Sequence, residues 1–170
     1  MANEYSKENV WKIMENSKTV NFIRAIGLPD RKNIRIDIET YAVTDGEVGQ
    51  ELIDELHILR QDMTRRTAKT LKKLDVTAEE LKNGIADEEA VKQISEYLHK
   101  HDGVVVSYGT SVVISDINKI ALEFQVPLIE NNQFDMKKMT KKCDEDYPDR
   151  STIKKTREAS KYCLKHYKRV

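Results

Sequence analysis

The chain has 170 residues, 39% of them apolar and 34% charged, enough for one domain with a full core. Twenty-nine basic residues balance twenty-nine acidic ones, so the formal net charge is zero. That excludes a whole-molecule electrostatic grip on nucleic acid, which needs an excess of positive charge, and leaves only local patches. No apolar run approaches ~18 residues, so no membrane span is expected.

The N-terminus, MANEYSKENVWKIMENSK, is polar and mixed in charge, unlike a secretory signal. Cys143 and Cys163 are the only cysteines and have no metal-ligand spacing. A reduced, cytoplasmic setting is the expectation. Residues 1–18 read as a short helical extension, with Val10, Ile13 and Met14 on one side and Trp11 beside them. The main domain is then 19–170.

Thr19 to Ile26 reads as a strand, rich in β-branched and aromatic residues. Gly27-Leu28-Pro29-Asp30 is turn chemistry. The next strand, at about 33–44, alternates: Ile34, Ile36, Ile38, Thr40 and Ala42 face one way, Arg35, Asp37, Glu39 and Tyr41 the other. Asp45-Gly46 is a hairpin-type turn leading to a third strand at about 51–60. These three strands predict an antiparallel meander.

Helices follow. Met63, Thr67, Leu71 and Leu74 repeat at helical spacing, and Thr77-x-x-Glu80 is a capping box. Asp87 is placed as the cap of a helix over 87–101. Val104-Val105-Val106 marks a strand covered on both faces. Ser115 is placed as the cap of a helix over 115–125, a short fifth strand is expected near 128–135, and Ser151 opens a last helix to 167. On that helix Ile153, Thr156, Ala159, Cys163 and Tyr167 are the predicted inner positions.

Three strands, helices, a buried strand and more helices is the order of a ribonuclease H-like exonuclease fold, an α/β class with a central five-stranded mixed sheet. The stretch TVNFIRAIGLPDRKNIRIDIETYAVTDGEV resembles the opening of the DEDD-type (DnaQ-like) 3′–5′ exonucleases. Gly27-Leu28, Glu39 and Ala42-Val43 fit the family's first two strands. IDELHIL, LDVTAEEL and VVVSYGTSVVISDINKIALEF resemble its later segments, out to about residue 142.

The resemblance implies four carboxylates holding two divalent metals, which stabilise the attacking and leaving oxygens. Aligned through Gly27, the first two positions fall on Phe22 and Arg24. The second-motif Asp falls on Val113, or on Val112 after a one-residue shift, and its His on Tyr108. The third motif best matches Ile153 and Glu158. The implied protein is a pseudoenzyme with no catalytic residue and no cofactor. It would act by binding a protein partner or, weakly, a nucleic-acid end.

The alternative is an active 3′–5′ exonuclease using Asp37 and Glu39 with magnesium or manganese. Asp37-Ile38-Glu39-Thr40 spells the catalytic signature, but using it as the first strand leaves no room for a second before Leu52. Otherwise Asp37 and Glu39 belong on a half-exposed second strand, and Asp37, Glu39, Glu158 or a bound anion such as phosphate is the expected partner of Arg24. The candidate nucleic-acid contacts are Arg24 and the basic face Arg65, Arg66, Lys69 and Lys73, with Lys72 beside them.

Overall fold

A computed structural model of the chain describes residues 7–31, 33–107, 110–142 and 152–168. Expectations for Tyr108, Ser151 and the charged stretch 144–149 fall outside these, as do the side chains of Cys163 and Tyr167.

The meander forms as the alternation demands. β1 (Thr19–Ile26) pairs antiparallel with β2 (Arg35–Thr44), and β2 with β3 (Glu47–Leu59). The β2–β3 turn is two residues long, with Asp45 at φ 51° and Gly46 at φ 79°. Positive φ at both positions matches the strand twist, so β3 starts at 47, earlier than the sequence suggests. β4 (Val104–Ser107) then pairs parallel with β1, and β5 (Gln133–Asp135) parallel with β4. The sheet order is β3-β2-β1-β4-β5.

Helices cover both faces. α4 (Asp87–Lys100) and α5 (Thr110–Glu123) pack on one, over Ile23, Ile36, Ile38 and Val105. α1 (Lys7–Glu15), α6 (Met136–Lys142) and α7 (Ile153–Lys168) cover the other, over Phe22, Tyr41, Val43 and Val106. α1 enters this core through Val10 and Met14, both nearly inaccessible. Two short helices, α2 (Ala68–Leu74) and α3 (Ala78–Lys82), close a smaller cluster of Leu28, Ile34, Leu74 and Leu81 at one end of the sheet.

Several boundaries differ from the sequence reading. The helix expected from Met63 starts at Ala68, capped by Thr67, whose hydroxyl accepts from Thr70 N at 3.2 Å. The preceding residues are held in a loop: Asp62 accepts from Thr64 N at 2.8 Å and from Arg66 at 2.7 Å. Asp87 is not the cap of α4, which is Ala86; its carboxylate instead binds Arg31 at 3.0 Å and Arg60 at 2.9 Å. α5 begins at Thr110, so Ser115 lies inside it, and burial of Val113, Ile114, Ile117 and Ala121 at helical spacing overrides the β preference of the Val-Val-Ile run. α7 buries Thr156, Ser160 and Leu164, one ridge of residues four apart.

A polar chain runs through the sheet beneath α4. Asn21 Nδ2 donates to the carbonyls of His101 and Gly103 at 3.0 and 3.3 Å, and its Oδ1 accepts from Thr40 at 2.7 Å. Thr40 in turn sits 2.6 Å from the Tyr97 hydroxyl. Because the Thr40 hydroxyl donates to Asn21, the Tyr97 hydroxyl donates to Thr40, and burial pushes its phenol pKa up to about 12.

Candidate functional site

β1 and β4 are adjacent and parallel, and in open α/β sheets the crevice beyond the carboxyl ends of such strands is where ligands bind. Here that crevice is a cleft of about 210 Å³. It is lined by Arg24 and the following β1 backbone to Gly27, Ser107 at the end of β4, Thr156 from the first turn of α7, and Lys73 from α2. The sequence thus disperses two cations and two hydroxyls that the fold gathers. Lys73 is carried there by the end of α2, whose last carbonyls at Leu74 and Asp75 accept from Arg35 at 2.7 and 3.1 Å.

The strand register places Arg24 opposite Asp37 and Phe22 opposite Glu39 on the face covered by α7. Burial lowers the Arg24 pKa, against the attraction of Asp37 and Asp75 and with the repulsion of Arg35. Asp37 and Glu39 are not half-exposed, as the sequence suggests, but 3% and 7% accessible. Arg157 of α7, invisible to local alternation, covers Glu39, while Arg35 and His57 close over Asp37. Asp37 accepts from Arg35 Nε at 3.3 Å and lies 2.7 Å from His57 Nδ1. Glu39 accepts from Arg157 Nη1 at 2.9 and 3.1 Å, and the same nitrogen donates to the Tyr41 hydroxyl at 2.9 Å.

The residues do not fit a two-metal centre. Phe22 is fully buried in the core, and Arg24 brings positive charge. Val113 lies in the core on the opposite face of the sheet, and Val112 is exposed. Glu158 is solvent-facing and bound to Arg157 at 3.2 Å; the α7 side chain that reaches the cleft is Thr156. Among the described residues no carboxylate lines the cleft, and no three His, Cys, Asp or Glu side chains form a metal-holding group.

The basic face does not form one surface. Arg65 and Arg66 precede α2 instead of lying on it. Arg65 and Lys69 are exposed, Lys73 turns to the cleft, and Arg66 is held in a paired contact with Asp30 at 2.8 and 3.2 Å as well as with Asp62. Arg157 and Lys161 are the functional-looking side chains that sequence reasoning left unresolved among the many cations of the last helix. The only hint was their spacing of four.

Architecture defines the class: an α/β domain with a five-stranded mixed sheet flanked by helices, and no described helix long and apolar enough to cross a membrane. No protein-family model matches the chain, and no curated protein sequence matches it either.

Proposed function

We propose that this chain is a catalytically degenerate exonuclease-like domain of ribonuclease H-like fold, which holds a phosphate-bearing nucleic-acid end without cutting it. The observation that carries this reading is the cleft beyond β1 and β4, where Arg24, Lys73, Ser107 and Thr156 stand and the described lining has no carboxylate. Cations and hydroxyls there match the charge and hydrogen-bond acceptors of a phosphate. They would repel the divalent metals that cleavage requires. The strand–helix order supports the fold assignment, with an antiparallel meander followed by parallel β4 and β5. Against the active-enzyme alternative, Asp37 and Glu39 are both engaged by cationic or imidazole partners.

A protein partner is the second reading, favoured by β3. This strand lies at the sheet edge, and its Leu52 and Ile53 are 43% and 49% exposed. Such an edge can accept another strand.

The test is incubation with end-labelled single-stranded DNA and RNA, with and without millimolar Mg²⁺ or Mn²⁺. The expected result is intact substrate and weak, salt-sensitive retention that Arg24→Met/Lys73→Met abolishes. Stepwise 3′ shortening that disappears in Asp37→Asn/Glu39→Gln would establish the active alternative.

A further inference from the structure

A larger cavity lies away from that cleft. It is a groove of about 720 Å³ between α1, the β2–β3 hairpin and α7, within the size range of small-molecule sites. One wall is a ridge of α7: Arg157, Lys161 and Lys165, four residues apart and therefore aligned along one side of the helix. Tyr162, on the same helix and 55% exposed, and Trp11 from α1 carry ring surface into the groove, while the Tyr41 ring beneath Lys161 is buried.

The three cations are not equivalent. Arg157 is committed to Glu39, Tyr41 and Glu158. Lys161 holds its ammonium 4.4 Å from the Tyr41 ring centroid. Neither it nor Lys165 makes an ion pair with any described carboxylate. Burial lowers the Lys161 pKa, opposed by Glu158 and Glu39 and assisted by Arg157 and Lys165. A partly desolvated ammonium gains more from an anion than a solvated one does. Glu47 and Glu158 also line the groove, which disfavours polyanions of high charge density, and Glu158 is already bound by Arg157.

Rings beside ammonium groups recognise a flat aromatic ring joined to an anion. We propose that this groove is a second binding site, for a nucleotide unit: the base stacks against the aromatic walls and its phosphate is held by Lys161 and Lys165. It is independent of the Arg24 cleft. The nucleotide is free or part of a single strand, and the experiment separates these sources.

Trp11 is the only tryptophan in the chain and lines the groove, so its emission reports occupancy directly. The full chain is titrated with adenosine monophosphate, adenosine, inorganic phosphate, a short single-stranded oligonucleotide and a short oligoglutamate, by Trp11 fluorescence and by calorimetry. Adenosine monophosphate is expected to saturate and to bind more tightly than adenosine or phosphate alone. Preference for the oligonucleotide would identify a single strand as the source, and preference for the mononucleotide a free ligand. Lys161→Met/Lys165→Met is expected to weaken binding about tenfold or more, the loss of charge-assisted contacts. Lys165→Met alone, which leaves the Tyr41 contact in place, covers a folding defect in the double variant. Arg24→Met/Lys73→Met should leave mononucleotide binding unchanged, so failure of the cleft and failure of the groove read out separately. Absence of saturation by both methods, affinity no better than that of phosphate or oligoglutamate, or indifference to the lysine substitutions would overturn the proposal.

Discussion

Arg157 and Glu39 are 118 positions apart in sequence and meet in a charge-assisted contact, Arg157 Nη1 donating to both carboxylate oxygens at 2.9 and 3.1 Å. The two side chains are only 14% and 10% exposed, so this pair clamps α7 onto the sheet largely out of water. Removing Arg157 leaves the Glu39 charge buried and unmatched, and removing Glu39 leaves Arg157 with only the exposed Glu158 as a described ion-pair partner. Arg157→Met or Glu39→Gln should each cost about 3 kcal/mol or more in urea unfolding. The double variant should recover part of that loss, since it strands neither charge. Additive losses would show that the pair is not coupled.

Arg24 and Asp37 face each other across β1 and β2. Arg24→Glu would place two carboxylates opposite one another, a destabilising arrangement of about 1 kcal/mol in sheets. The variant should melt below wild type and gain nothing from Mn²⁺, because Phe22 and Thr156 supply no companion ligands. A variant as stable as wild type and further stabilised by Mn²⁺ would mean that the frame of a metal site persists.

His57 gives the fold a pH dependence. Burial opposes its charge, but the Asp37 hydrogen bond and the attraction of Asp37 and Glu55 prevail, and its pKa is raised. A raised folded-state pKa contributes stability that is fully present below the unfolded value of about 6.5 and is lost as pH rises through the folded value. Melting temperature should therefore fall by more as pH rises from about 6 into the alkaline range in wild type than in His57→Gln. Parallel pH profiles for the two proteins would exclude the imidazole as the source.

Arg66 and Lys69 belong to the same basic stretch and should behave differently. Arg66 joins two acidic residues from separate loops, Asp30 and Asp62, whereas Lys69 is exposed on α2. Arg66→Met should lower the melting temperature measurably and leave nucleic-acid retention to the cleft. Lys69→Met should move the melting temperature very little. Equal effects of the two substitutions would mean that the Asp30 and Asp62 contacts contribute nothing to the fold.

Local chemistry made the meander, the Asp45-Gly46 turn and the Thr77 capping box legible, because each is specified by neighbours within a few residues. α6 was not foreseen: its buried Met136 and Met139 sit among lysines in a segment too short for a clear period. Asp37 and Glu39 were placed on the correct strand and face, yet the helix that engages Glu39 arrives more than a hundred residues later. The cleft was half legible. Arg24 follows from the strand alignment, while Lys73, Ser107 and Thr156 join it only through three separate elements. The groove was not legible, since its walls come from the first helix, the hairpin and the last helix.

The buried chain from Asn21 to Tyr97 bears on the order in which the molecule is made. β1 is made before the other strands of this sheet, yet it lies at the centre of the sheet, and its second neighbour is some eighty residues downstream. The meander closes locally, but Asn21 has no carbonyls to donate to until His101 and Gly103 have emerged. Gly103 must also pass so close to the Thr19 backbone that a methyl group in its place would collide with it. A nascent chain reaching only to α3 thus presents the β4-facing edge of β1 unpaired, a strand edge open to wrong pairing until β4 is made.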